Sequence, residues 1–208
     1  GAALGCDEVQ LEVRRALPCE WQHFREHHYK DHNLSSLASG WIGLLAGRPV
    51  GCTYVMVQAP NYVGDGRVRT EGAEAWKEEY MQLPITWAKR PLMREHRTVM
   101  LPDFQGCGLG SSLSNAVARD LELQGHLFVS KTAHPHFGSY RDRSPFWRPC
   151  PLNNVPQQHG PHRGKSFYNH FWVGASNPDG SVDPERERQL RSLVVPSAAY
   201  EQRMQSLL

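Results

Sequence analysis

The 208-residue sequence has no run of 18 or more apolar residues, which argues against a helix crossing a membrane. Its N-terminus lacks the charged, apolar and small-residue regions of a signal peptide. The five cysteines (Cys6, Cys19, Cys52, Cys107, Cys150) are odd in number and form no CxxC pair, so neither a zinc knuckle nor a secreted disulfide framework is supported. A reducing, cytoplasmic location is therefore the default expectation. The chain also lacks an excess of one charge. Its 23 Lys and Arg against 21 Asp and Glu leave a net charge of +2, far from the balance of a dedicated nucleic-acid binder. Basic residues nevertheless cluster at 88–97 and 141–148. The chain starts Gly1-Ala2 without Met, which reads as an excised domain or a protease scar. What is present suits one globular domain: 39% apolar and 21% charged residues, with eleven histidines, more than usual at this length.

Residues 8–16 alternate as a first strand, with Val9, Leu11 and Val13 on one face. Trp21, Phe24 and His28 then fall at helical spacing over 18–30, and Leu34, Leu37 and Ala38 extend a second short helical pattern. The apolar stretch 40–46, a turn at Gly47-Arg48-Pro49 and the run 50–57 read as a β-hairpin. Residues 60–92 break the rhythm with a loop at Asn61–Gly66 and a helix expected over 71–82, where Ala73, Trp76 and Tyr80 share a side. A strand over Arg94–Leu101 stops at Pro102. The clearest helix covers 109–124, striped by Leu109, Leu113, Ala116, Val117 and Leu121 and closed by Gly125. A strand at 127–131 follows, then an irregular, proline-rich region in which no convincing helix is expected, and an aromatic strand-like run over 166–173. Residues 1–176 read as the domain, and 177–208 as a polar linker and charged helical tail. This order indicates a mixed α/β sheet.

The informative block is Val99 to Leu113, in which a strand feeds the loop Gln105-Gly-Cys-Gly-Leu-Gly110 and a long amphipathic helix. Glycines let a ligand approach the backbone closely, and the unpaired amides of a first helical turn favour anions. Together they suit a pyrophosphate. A Walker A loop would end in Gly-Lys-Ser/Thr, but this run ends Gly110-Ser111-Ser112. A Rossmann fingerprint would space its glycines GxGxxG, but Gly106, Gly108 and Gly110 are spaced GxGxG. The spacing Gln105-x-x-Gly108-x-Gly110 after a strand ending in Pro102 resembles motif A of the GNAT acetyltransferases, carried by Val99, Leu101, Pro102, Gln105, Gly106, Gly108, Leu109 and Gly110.

That resemblance implies an α/β fold with a mixed, mostly antiparallel central sheet, splayed strands and flanking helices. It implies an N-acyltransferase that uses acetyl-CoA or a related acyl-CoA. The strand at Val99 and Leu101 would bond the pantetheine arm, and the amides of Gln105, Gly106, Cys107, Gly108, Leu109, Gly110, Ser111 and Ser112 would hold the pyrophosphate. A wedge between that strand and 127–131 would admit the acceptor amine. A narrower resemblance is carried by Trp21-x-x-Phe-x-x-His-His-Tyr29, Pro49-Val-Gly51, Arg94-x-x-Arg97, Thr132-Ala-His-Pro135 and Ser144-Pro-x-Trp147. It is to a GNAT subgroup found alone or beside ATP-binding domains and related to the phage Mom-type DNA-modification proteins. It implies a nucleobase, DNA or RNA as acceptor, and an ATP-binding domain or subunit as partner.

Acyl transfer from a thioester needs a neutral amine, a polarised carbonyl and a proton for the departing thiolate. The candidates for these roles are His28 and Tyr29 on the acceptor side, and Thr132, His134, Ser139 and Tyr140 past the second splayed strand. Many GNAT proteins carry an Asn after that strand and a Tyr in the next helix. This sequence departs from that pattern, which leaves the general acid open. Glu95 and His96 open the strand before the loop, where action through water and a solvated strand start are equally consistent readings. Cys107 reads as a small filler in the anion loop. A metal, iron in a Mom-like case, is not expected: His23 and His27 share a helix face, but His23-Phe-Arg-Glu-His27 lacks the Glu position of HExxH. The run Arg141–Arg148 interleaves Phe146 and Trp147 with arginines. This suits either a stacking surface for single-stranded nucleic acid or a packed anchor.

Overall fold

The computed structural model describes residues 10–28, 32–58, 90–157, 161–177, 179–193 and 195–196. Among them the strands form one eight-stranded sheet: β1 (Glu12–Arg15), β2 (Ser39–Leu45), β3 (Arg48–Val57), β4 (Leu92–Met100), β5 (Leu127–Thr132), β6 (Trp147–Pro149), β7 (Tyr168–Trp172) and β8 (Val195–Pro196). Their spatial order is β6-β7-β5-β4-β3-β2-β1-β8. Only β4–β5 and β1–β8 run parallel; the other neighbours are antiparallel. Among the described residues three helices flank the sheet: α1 (Leu109–Leu123), α2 (Pro135–Arg143) and α3 (Pro184–Leu193). No helix among the described residues is long and apolar enough to cross a membrane.

The hairpin forms as expected, one residue early. Ala46 (φ 48°) and Gly47 (φ 73°) make the turn, and Arg48 and Pro49 already belong to β3. The β4–β5 junction matters most for the site. The two strands pair only at Leu92↔Leu127, Met93↔Phe128 and Arg94↔Val129. Beyond that, β5 continues with β7 as far as Thr132↔Tyr168, while β4 stays with β3 as far as Met100↔Gly51. The strands therefore diverge after Arg94, and a wedge opens between them.

A bulge sets which side chains of β4 face which side. The register passes from Tyr54↔Arg97 to Val55↔Glu95, so His96 is the extra residue. Without it, the period-2 alternation would put Met93 and Met100 on opposite faces. With it, both join the core built on Leu113, Val117 and Leu121 of α1, while Val99 lies in the core of the opposite face with Trp21, Phe24, Ile42, Cys52 and Tyr54.

Two expectations fail locally. The helices expected over 18–30 and 34–38 are absent among the described residues. In their place, 3₁₀ turns at Pro18–His23 and Arg25–His27 lead into an irregular segment. Pro18 can open a turn, but Asn33, Ser35 and Ser36 are of types that compete with a helix, and Ser35 Oγ accepts from Leu37 N–H at 3.3 Å. Conversely, α2 forms where no helix was expected. His134 caps it, its Nδ1 accepting from Phe137 N–H at 3.4 Å, and Pro135 suits the first helical position. Gly138 lies inside it, and the Tyr168 ring lies where a Cβ would be, so packing requires glycine there.

Residues 179–193 fold back onto the core. Asp183 accepts from the N–H groups of Glu185 and Arg186 (both 3.0 Å) to start α3, Leu190 joins the α1 core, and Arg119 makes a two-pronged pair with Glu187 at 2.8 Å. The helix expected over 71–82, with Trp76 and Tyr80, lies outside the described residues.

Candidate functional site

At the end of β4 the chain makes a 3₁₀ turn at Pro102–Phe104 and enters the glycine loop. Gly106 (φ 81°) and Gly108 (φ 85°) are both left-handed, a conformation that costs an L-residue about 1–2 kcal/mol. A Cβ at either position would meet open space, so backbone conformation, not crowding, selects glycine there. Gly108 is the N-cap of α1, and its carbonyl accepts from Ser111 N–H (3.0 Å) and Ser112 N–H (3.1 Å). Gln105 N–H is donated to Pro102 O (3.2 Å). The N–H groups of Gly106, Cys107, Gly108, Leu109 and Gly110 have no acceptor among the described residues. Five successive bare amides at the positive end of a 15-residue helix make an anion cradle. The side chains fold back: Gln105 Nε2 donates to Met100 O (2.9 Å) and Cys107 Sγ to Phe104 O (3.1 Å), leaving the amides as the loop's open face.

The wedge adjoins this loop. Leu101 N–H is donated to Val50 O (2.9 Å), toward β3. The alternation of a strand then turns the main-chain groups of Met100 and Thr98 toward the open side, where β5 has departed.

At the apex of the wedge lies a buried polar cluster. Glu95, the first β4 residue past the last β5 pair, meets Arg141 of α2 (Nη2–Oε2 2.8 Å). It also accepts from Thr98 Oγ1 (2.6 Å), Ser114 Oγ (3.1 Å) and Ser130 Oγ. Arg141 is 1% exposed, donates to Ser114 Oγ (2.8 Å) and Ser130 Oγ, and is sandwiched between the rings of Phe137 (4.1 Å) and Trp147 (4.3 Å). Burial pushes the Glu95 carboxyl up, but the Arg141 charge and the hydroxyl donors outweigh it and hold the group below the ordinary carboxylate value. Glu95 is thus a buried, fully partnered anion, not a solvated strand start. The cluster ties β4, β5, α1 and α2 together at the point where the sheet splits.

Beside it stands Tyr140, half-buried on α2. Trp147 Nε1, which can only donate, bonds Asn115 Oδ1 at 2.8 Å. That fixes the amide orientation, so Asn115 Nδ2 is the donor to Tyr140 Oη at 2.7 Å. Tyr140 therefore accepts on its oxygen, and its own proton is left for another partner. Asn115, 2% exposed, is a site residue the sequence reading missed. Its signal was an Asn on the buried stripe of an apolar helix, where a side-chain amide needs partners.

The other candidates are more dispersed. Thr132 Oγ1 accepts from His134 N–H (3.0 Å), so both residues shape the turn into α2. With His134 Nδ1 accepting at the helix cap, the neutral ring carries its proton on the exposed Nε2 and presents a donor rather than a base. Ser139 is half-buried on α2. His28 is 7% exposed and packs its ring 6.2 Å from Trp21 on the opposite face of the sheet. Tyr29 lies outside the described residues. No group of three or more metal-ligating side chains gathers among the described residues. Of the two readings of 141–148, the packed anchor is the one found: Phe146 and Trp147 are 6% and 5% exposed, against Trp172 at 5.9 and 5.2 Å. They anchor α2 to β7.

No protein-family model matches the sequence, and a search of curated proteins finds no match. Solved structures do resemble it. An acetyltransferase from Bacillus subtilis in complex with CoA superposes with a TM-score of 0.50 at 8% identity, over 78% of this chain and 98% of that one. A histone acetyltransferase HPA2 and related acetyltransferase from Corynebacterium glutamicum gives a TM-score of 0.49 at 11% identity, over 79% and 96%. A GNAT family acetyltransferase from Brucella melitensis in complex with acetyl-CoA gives a TM-score of 0.40 at 12% identity, over 64% and 82%. At 8% identity the likeness to the first of these concerns the fold alone, a mixed, mostly antiparallel open sheet flanked by helices.

Proposed function

We propose that this chain is an N-acyltransferase that moves an acyl group from a coenzyme A thioester to an amine. The observation that carries the reading is the run of five bare amides at Gly106–Gly110, set at the mouth of the wedge where β4 and β5 part. An extended carrier ending in a diphosphate fits this arrangement. The amides of Gly106–Gly110 hold the phosphates, and the main-chain groups of Thr98 and Met100 face the arm as a surrogate strand. A bound acyl-CoA supplies an activated acyl carbon at the wedge. The chain's own contribution is to position it and to manage protons. The cluster around Glu95 keeps the wedge open and excludes water from its apex. Tyr140, held as an acceptor by Asn115, directs its O–H outward and can protonate the leaving sulfur.

A nucleobase, DNA or RNA acceptor, and an ATP-binding partner, rest on the narrower sequence resemblance alone, since the aromatic pair that suggested a stacking surface is buried. The test is release of CoA thiol from acetyl-CoA over a panel of amines that includes adenine-containing oligonucleotides. The reading expects amine-dependent release that falls about 10²-fold in Tyr140→Phe while the melting temperature stays close to wild type. Release equal in the variant would remove Tyr140 from the mechanism, and no release with any amine would remove the activity.

A further inference from the structure

Across the sheet from α1, the chain carries a cavity that the reaction above does not use. About 550 Å³ in volume, it is bounded by the 3₁₀ turn at Pro18–His23, the irregular segment 32–38 and the faces of β2 and β3. Its charged lining is of one sign. Arg25 contributes a cation, and no carboxylate lines it among the described residues. Glu20, on the same turn, is taken by Arg14 (2.9 Å). Trp21 and Tyr54 form aromatic walls, their rings edge to face at 5.5 Å.

Tyr54 makes this more than a surface dent. Its side chain is 2% exposed, yet its hydroxyl has no hydrogen-bond partner among the described residues. A buried hydroxyl without a partner costs about 1–3 kcal/mol and calls for an explanation. The ring lies flat over Gly40, occupying the space a Cβ there would need, so the phenol is held in place by the glycine beneath it. Burial pushes the Tyr54 phenol up, so it remains an O–H donor. Arg25 is exposed and without a partner among the described residues, on the turn above. The Arg15 guanidinium lies away from the cavity, stacked over Trp41 at 4.0 Å on the α1 face. A hydroxyl donor with one guanidinium group and no competing acid suits an oxygen anion.

We infer that this cavity binds the oxyanion of a small ligand, a carboxylate or a phosphate ester, with Tyr54 Oη and Arg25 as its recognising groups. For its role the inference rests on the reading above, which it deepens: the bound molecule is the acyl acceptor. Tyr54 is paired with Arg97 on β4, and Arg97 Nη2 ties the cavity wall to β4 by donating to Asn33 O (3.3 Å). The wedge opens on the other edge of β4. The cavity and the wedge therefore stand about two strand spacings apart, roughly 10 Å. The acceptor class that follows is an amine carrying a carboxylate or phosphate roughly 10 Å from its nitrogen.

Binding can be measured without turnover and without the glycine loop. In a Gly108→Trp background, which removes the competing anion cradle, sodium phosphate and sodium acetate are titrated separately while the Trp21 indole N–H resonance is followed by NMR, assigned with Trp21→Phe. The expected result is a saturable shift with at least one anion, weakened about tenfold in both Tyr54→Phe and Arg25→Ala. Response to phosphate alone identifies a phosphate ester, and response to acetate alone a carboxylate. No saturable shift, or a shift retained in both variants, overturns the site whatever the chain does with acyl-CoA. If the site binds, the acceptor role is read from kinetics: Arg25→Ala raises KM for amines with a distal oxyanion, leaving kcat and the KM for plain alkylamines unchanged. An equal effect on both amine classes overturns that role.

Discussion

Glu95 and Gly108 stand thirteen positions apart at the two ends of one wedge, and their polar surroundings are opposites. Around Glu95 every acceptor is used: Arg141, Thr98, Ser114 and Ser130 all donate to one buried carboxylate. Around Gly108, five amides in a row donate to nothing among the described residues. A folded chain satisfies its buried polar groups when their work is to hold shape, and leaves exposed donors bare where a ligand will complete them. The saturated end ties β4 and β5 together where they part, and the bare end is left open to a ligand.

Substitutions at the saturated end should therefore lower stability, and those at the bare end should lower binding. Glu95→Gln should have the largest effect, about 3–5 kcal/mol by denaturant unfolding, because it leaves Arg141 buried without a counter-charge. The double change Glu95→Leu with Arg141→Met should cost less than Glu95→Gln alone; a larger cost would show that the charges themselves build the wedge. The acid side gives an independent check. Since Glu95 is held below its ordinary 4.5, its contribution is complete above that pH and is lost as pH falls through the lower folded value. The wild type should thus lose stability relative to the double variant at acid pH.

At the junction between the two ends, Tyr140→Phe should reduce turnover about 10²-fold, with a loss of stability near 1 kcal/mol from the unpaired Asn115 amide. At the bare end, Gly106→Ala should cost about 1–2 kcal/mol of folding through its left-handed φ and weaken acyl-CoA binding severalfold. Unchanged binding would show that the loop's conformation is not what holds the ligand.

The smallest effect concerns His170, buried on β7 with Nε2 2.8 Å from Asp142 and Nδ1 without a partner among the described residues. Burial lowers its affinity for a proton below the ordinary 6.5, against the opposing pull of Asp142. The unfolded imidazole then takes up a proton before the folded one, so stability should fall as pH drops through 6.5. His170→Asn should flatten that slope in chemical denaturation between about pH 7 and 5. An unchanged slope would assign it to other histidines.

The bare end was legible in the sequence because its signal is local. Glycine spacing, a preceding strand and a striped helix lie in consecutive residues, and the fold follows from the same periodicities. The saturated end was not legible, because its members come from β4, α1, β5 and α2, at positions 95, 98, 114, 130 and 141, and only the fold brings them together. The bulge at His96 also reverses the alternation that would have placed Glu95. Helix α2 was missed because His134-Pro135 read as irregular chain, although in context they are a cap and a first-turn proline. Tyr54 carries no signal of its own within the strand over 50–57, since the lack of a partner for its hydroxyl is visible only in three dimensions.

If Gly106–Gly110 cradles the diphosphate of an acyl carrier, calorimetric titration with acetyl-CoA should separate the wild type from Gly108→Trp. A Cβ at Gly108 meets open space and its left-handed φ costs about 1–2 kcal/mol, so the variant should fold, with a melting temperature confirming it. Micromolar binding is expected for the wild type and none for the folded variant. Absence of binding to both acetyl-CoA and free CoA, or equal binding by the variant, would contradict the cradle.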